Sequence, residues 1–312
     1  MNYEDALTET VLADERYVVM TAENRAAIRN LPSALGERFI DTGITEQAMV
    51  GAAAGLALRG RIPVVHALAA FLTMRAFEFI RTDVGIPCLP VKLVGGVPGF
   101  LSTANGPTHQ ALEDVSLMRG IPNVHVFCPA DEQDLVIGLR KVLESPNPFY
   151  IRHNPLPAVI EHDPSFEIGK AEVISDGTDV SILVYGMLFR QAYEARSLLE
   201  AEGISVRLIN LRTVKPIDER AVLCAARETR LVVTLEDHFL TGGLTSIVSE
   251  LLLHHRMAAN VLPIALPDRW FRPALLDDVL EHEGFTGLQI AEGISRVTRE
   301  DAARKKSTNR RP

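Results

Sequence analysis

The sequence predicts an α/β protein of two domains, each a largely parallel sheet flanked by helices. Three observations lead to this reading. Short apolar runs rich in β-formers alternate with longer helical stretches. The alternation stops once, between Asn154 and Ser165, where Pro, His and Asp accumulate without periodicity. The length, 312 residues, exceeds what one ordinary domain holds. Strands alternating with helices of this kind form parallel sheets covered on both faces.

In the first unit the strand-like runs are 17–21, 38–41, 62–65, 90–94, 125–128 and 149–152, with helical patterns at 47–58, 71–82 and 132–143. In the second, 180–185, 206–210 and 231–235 read as strands, and 190–202 and 218–227 as helices. Gly242-Gly243 opens a further helix over 244–253. The expected domain limits are 1–155 and 168–300, joined by a linker at 156–167. Residues 301–312 carry Arg304-Lys305-Lys306 and Arg310-Arg311 and read as a basic polar tail, a disordered solubilising end.

Hydrophobic residues make up 47% and charged residues 23% of the chain, the balance of a soluble globular protein. A net charge of −8 argues against a nucleic-acid binder, because phosphate backbones reward clustered cations. Cys88, Cys128 and Cys224 form no close pair, which suits a reducing cytoplasm better than a disulfide framework. The start, Met1-Asn2-Tyr3-Glu4-Asp5, lacks a signal-peptide hydrophobic region. No apolar run reaches membrane-spanning length; the best, from Ile44 to Leu58, is broken by Glu46, Gln47 and glycines. A cytoplasmic protein without membrane contact is expected.

The stretch Asp41-Thr42-Gly43-Ile44-Thr45-Glu46-Gln47 carries the most information. Glu46 follows a short β-like run and opens a helix rich in Ala and Gly, able to pack very close to a neighbour. A carboxylate there, beside apolar surface, is dehydrated and tends to hold its proton, so it suits exchange with a heterocycle nitrogen. The plainer reading is a carboxylate set against the helix dipole. Phe71, Met74 and Phe77 are three residues apart, and a helix puts them on roughly one face, either as core or as a ring-binding surface. His109 lies in a loop shaped by Gly106 and Pro107, which can hold an imidazole over a cleft. The other histidines show no converging ligand spacing and read as structural.

With Phe71-Leu72, Gly106-Pro107-Thr108-His109-Gln110 and Cys128-Pro129-Ala130-Asp131 following Gly-Ile-Thr-Glu-Gln in this order, the chain resembles the C-terminal half of transketolase-type thiamine diphosphate enzymes, from about Leu7 to about Glu292. The resemblance implies a pyrimidine-binding domain followed by a transketolase C-terminal domain that supports dimer contacts. It implies thiamine diphosphate as cofactor, with Glu46 hydrogen-bonding N1′ of the aminopyrimidine and Phe71, Met74 and Phe77 burying that ring. It gives His109 a place facing substrate, where it can bond a hydroxyl or oxyanion and share proton transfer.

Family members also carry Gly-Asp-Gly followed by Asn, which holds metal and diphosphate, and no Gly-Asp-Gly occurs here. A partner subunit with the N-terminal diphosphate-binding domain is therefore expected, with Mg²⁺ or Ca²⁺ held mainly by that partner and none by this chain. A heterotetramer built on homodimer contacts through both domains would follow. Asn105 stands where the family places an acidic residue aimed at a ketose hydroxyl, and Asp5 and Val97 stand where it places phosphate-binding side chains. Arg152 is left as an anion contact or as an ion-pair partner, and the apolar loop from Val97 to Phe100 suggests a non-standard donor or acceptor.

The expected activity is transfer of a two-carbon ketol unit from a ketose-type donor to an aldehyde acceptor. Two alternatives stand beside it. One is the β subunit of a 2-oxoacid decarboxylating complex, disfavoured by Thr108-His109-Gln110. The other is a non-catalytic partner module, disfavoured because such a module has no physical need for both Glu46 and His109.

Overall fold

The structure, a computed structural model, describes residues 1–101, 105–270 and 273–308. Its strands in chain order are β1 Tyr17–Thr21, β2 Phe39–Asp41, β3 Ile62–Leu68, β4 Lys92–Gly96, β5 His125–Phe127, β6 Phe149–His153, β7 Glu172–Ser175, β8 Val180–Val184, β9 Val206–Asn210, β10 Thr213–Lys215, β11 Leu231–Phe239 and β12 Val261–Leu266. They form two sheets, ordered β10-β5-β6-β4-β3-β1-β2 and β12-β11-β8-β9-β7. Every pairing is parallel except β10 with β5 and β7 with β9.

The central strands are largely apolar because both faces are covered; β1, β6 and β8 are buried at every residue, and the polar residues β6 carries, Arg152 and His153, lie at its end. One face of the larger sheet lies under the helices Tyr3–Ala13 and Glu132–Glu144, which contribute Leu7, Val11, Leu135, Leu139 and Val142 to a shared core. The first helix starts in a reciprocal capping box between Asn2 and Asp5, and the second at Asp131, whose carboxylate accepts from Asp134 N–H at 3.0 Å. On the other face sits the helix Glu46–Leu58, burying Met49, Val50, Ala53 and Ala54. Its outer side exposes Ala48, Ala52 and Gly55, with Ile44 and Leu58 at either end.

Several expectations are corrected. The helix expected over 71–82 is not uniform: Phe71–Arg75 and Ile80–Gly85 are π-helical, and Ala76 N–H reaches back five residues to the Phe71 carbonyl at 3.3 Å. The wider turns divide the aromatic stripe. Phe77 packs on the main core, whereas Phe71 packs with Ala69, Ala70 and Ala111. The basic tail begins as helix, since Gly287–Thr308 runs through its first residues; 309–312 lie outside the described residues. The Val97–Phe100 loop is apolar because Phe100 is a core residue, fully buried with its ring 5.5 Å from that of Phe285 in the second unit. Its apolar character therefore says nothing about substrate.

The two units are knitted together. β10 follows the second unit's β9 yet completes the first unit's sheet. At the junction His162, from the expected linker, is held between Asp131 (2.8 Å) and Glu172 (2.7 Å), and Arg212 pairs with Asp134 (2.7 Å) and Glu172 (3.3 Å). Burial alone pushes the His162 imidazole down, but its carboxylate partners carry it up to about 10.

Candidate active site

Glu46, Phe71 and the loop bearing His109 follow β2, β3 and β4 and so gather at the carboxyl edge of the larger sheet, where open α/β sheets bind ligands. Ahead of Glu46 the chain turns at Gly43, whose φ of 68° lies in the left-handed region. Asp41 fixes that turn, accepting from Gly43 N–H at 3.0 Å and from Arg25 Nε at 2.8 Å. Glu46 is the first residue of its helix and only 2% exposed.

Glu46 Oε2 accepts from Arg75 Nη1 at 2.7 Å, and Oε1 takes no hydrogen bond among the described residues. The Arg75 guanidinium lies 4.2 Å from the centre of the Phe71 ring, and that ring meets the His109 imidazole edge-on at 5.0 Å. Glu46, Arg75, Phe71 and His109 thus form a continuous line. Met74 lies three residues beyond Phe71 and is 37% exposed.

His109 is half-buried, its Nδ1 2.8 Å from Thr108 Oγ1. The Thr108 hydroxyl also lies within reach of the Asn105 carbonyl at 3.3 Å. With the hydroxyl proton on that carbonyl, Thr108 Oγ1 accepts from Nδ1–H and Nε2 keeps a lone pair. Asn105 is exposed beside this turn. Gly106 is required there: its φ is +66°, and an added Cβ would fall 2.8 Å from Pro273 Cβ. Gln110 is 1% exposed, and neither amide atom has a hydrogen-bond partner among the described residues.

Arg152 is corrected: it does not reach a cleft. It is 2% exposed, with Nε 2.9 Å from Asp114 and Nη1 and Nη2 2.8 and 3.2 Å from the two oxygens of Asp237. Burial works against its charge, but the two carboxylates outweigh that and hold it well above its ordinary range. It joins the two units rather than meeting an anion. Among the described residues, the group of side chains spaced to hold a metal is Asp134, His162 and Glu172, at the junction already closed by Arg212.

A carboxylate with one free oxygen, an aromatic face and an alanine surround fit a planar heterocycle with a ring nitrogen, and such an edge marks an α/β enzyme half-site for a heterocyclic cofactor. The chain belongs to the transketolase family: residues 2–155 match the transketolase pyrimidine binding domain and residues 169–290 the transketolase C-terminal domain. It is 36% identical over 301 residues to the 6-deoxy-6-sulfo-D-fructose transketolase subunit SqwH of Clostridium sp. (strain MSTE9), covering 95% of this chain and 93% of that one. It is 34% identical to a putative transketolase C-terminal section of Methanocaldococcus jannaschii, covering 94% and 93%. The solved structure of a split-gene transketolase, an inactive β4 tetramer, superposes with a TM-score of 0.85 at 35% identity, covering 94% of this chain and 96% of that one. Membership of the family implies dependence on thiamine diphosphate.

Motif reading singled out Glu46, Phe71 and His109, and the structure brings them into one line through Arg75. Motif reading missed Arg75, whose place depends on the π-helical turn, and Tyr3, His66 and His153, which meet only in the fold. The signal for Arg75 was present as a cation four residues after an aromatic, at helical spacing.

Proposed function

We propose that this chain is one subunit of a split, thiamine-diphosphate-dependent transketolase that moves a two-carbon ketol unit from a ketose-type donor to an aldehyde acceptor. The observation that carries this reading is the buried Glu46, whose Oε1 takes no hydrogen bond among the described residues and which Arg75 links to the Phe71 ring. Bound thiamine diphosphate supplies the nucleophilic carbon that such a transfer requires. The protein's own part is orientation and proton handling. Glu46 would bond the ring nitrogen of the aminopyrimidine, and Phe71, Met74 and the nearby alanines would exclude water from it. His109 Nε2, held by Thr108, would take or return a proton at a substrate hydroxyl. Asn105, at the loop edge, would bond a donor hydroxyl without charge.

A partner chain with the diphosphate-binding domain would hold Mg²⁺ or Ca²⁺. Its presence is supported by the relatives of the same extent that are themselves a subunit or a C-terminal section. A second copy of this chain would cover the outer face of helix Glu46–Leu58, where Ala48, Ala52 and Gly55 permit close approach, giving a heterotetramer. No helix among the described residues is long and apolar enough to cross a membrane, and a cytoplasmic location is part of the proposal.

The test is reconstitution with a candidate partner chain that carries Gly-Asp-Gly followed by Asn. Ketol transfer between a ketose and an aldehyde, absent from either chain alone, supports the reading. Decarboxylation of a 2-oxoacid without ketose cleavage would overturn it.

A further inference from the structure

A cavity of about 450 Å³ opens at the same carboxyl edge of the larger sheet. Its walls come from six places along the chain: the start of the first helix, the turn after β1, β3, the ends of β4 and β6, and the start of the helix Glu132–Glu144. Tyr3 is one of its lining residues. The phenol oxygen is 2.9 Å from His66 Nε2, and the ring meets that of His153 edge-on at 4.7 Å.

Two groups on these walls are polar and unused. His153 is 8% exposed, and neither ring nitrogen has a hydrogen-bond partner among the described residues. The Asn24 side-chain amide is likewise without a partner, and it occupies the space that a side chain on Gly96 would need, 2.7 Å from the position of an added Cβ. Val97 beside it is a β-branched residue at a φ of 47°, a strained conformation of the kind that persists where the surroundings hold a loop in one place.

The charge of the cavity is as informative as its shape. No lysine or arginine is among its lining residues, while Glu4 and Glu132 are, their carboxylates accepting from Asn30 and from Tyr3 N–H. Of the cations nearest in sequence, Arg25 is bound to Asp41 and Arg152 to Asp114 and Asp237, while Arg29 is exposed and is not among the lining residues. Both imidazoles are held neutral by burial, His66 down to about 3 and His153 down to about 4, with His153 adding to the effect on His66. Neutral imidazole, phenol and amide each donate and accept, as a hydroxyl-bearing ligand requires, and none compensates an anion.

We propose that this cavity receives the part of the ketose remote from its reacting carbonyl and selects an uncharged, hydroxyl-bearing chain over one ending in phosphate or sulfonate. The proposal rests on the ketol-transfer reading above and differs in substrate class from the sulfosugar that names the SqwH relative. His153 and Asn24 are the direct contacts; Tyr3 and His66 set the wall behind them.

Two measurements test it. In the full-length chain with ¹⁵N-labelled histidine, D-fructose should shift the His153 ring resonances while inorganic phosphate and sulfate at equal concentration do not. In the reconstituted complex, D-fructose should exceed fructose 6-phosphate and 6-deoxy-6-sulfofructose in kcat/KM by about tenfold or more. Ala26→Arg, at the exposed rim of the cavity, should move that ratio about tenfold toward the anionic sugars without loss of fold. Phosphate shifting His153, or an anionic ketose being preferred by the unmodified complex, would overturn the proposal and leave ketol transfer intact. A His153 shift with fructose in a complex that cleaves no ketose would instead overturn the ketol-transfer reading and leave the cavity's preference standing.

Discussion

Arg75 Nη1 lies 2.7 Å from Glu46 Oε2, with its guanidinium stacked over Phe71. A planar cationic group therefore sits between the carboxylate and the aromatic face, in the space that a bound heterocycle would share. Arg75 is 39% exposed on its side chain against 2% for Glu46, so the arginine can swing to solvent while the glutamate cannot. Arg75→Ala should lower the stability of the ligand-free chain by about 1–3 kcal/mol, because it leaves a buried carboxylate without its donor. Chemical denaturation measures this; an unchanged midpoint would show that the pair does not matter to the free chain.

Glu46→Gln keeps the shape of the site and removes a proton that can be exchanged. In the reconstituted enzyme it should slow exchange of the cofactor C2 proton in D₂O by about 10² to 10⁴, with little change in unfolding. NMR of quenched samples reads the rate. Wild-type exchange in the variant would mean that another group activates the cofactor.

Asp237→Ala should destabilise the chain by about 3–5 kcal/mol, since it strips two hydrogen bonds from a buried arginine whose other carboxylate, Asp114, also serves the Tyr150 hydroxyl at 2.6 Å. The loss should appear as a lower denaturant midpoint. Replacing Asp237 by Asn, which keeps shape and acceptor but not charge, should fall between the two.

His162 gives stability a pH dependence of known sign. Its folded-state pKa, raised to about 10, exceeds the unfolded value near 6.5, so the protonated ring stabilises the fold fully below the unfolded value. That contribution declines as pH rises from about 6.5 and is lost through about 10. His162→Asn should remove about 3 kcal/mol at neutral pH and flatten the decline. Denaturation midpoints at several pH values between neutrality and the alkaline limit test both effects, and an equal slope in wild type and variant would assign the pH dependence elsewhere.

The strands were legible because each central one is buried on both faces and so carries a short, mostly apolar run of β-formers. The three that escaped notice lack that mark. β7 is an antiparallel edge with Glu172 among its residues, β12 carries an exposed Pro263, and β10 is too short to show a period. At the candidate site, residues announced by a local motif could be singled out in sequence, while groups assembled from distant segments could not. Arg152 stayed open in sequence between an anion contact and an ion pair because Asp114 and Asp237 are brought to it only by the fold. Tyr3, His66 and His153 share a wall although no short pattern joins them.

β10 also bears on how such chains can be recombined. A hybrid made by cutting in the proline-rich connection after Asn154 would leave behind the outermost strand of the first sheet and expose the free edge of β5 to any extended segment nearby. It would also part Arg152 from Asp237 and His162 from one of its two carboxylates. Exchange of the second unit between relatives should therefore succeed only when the graft brings its own match for β5, or when the crossover falls after Lys215. A library of crossovers placed along 155–216, scored for soluble yield, would trace that boundary directly.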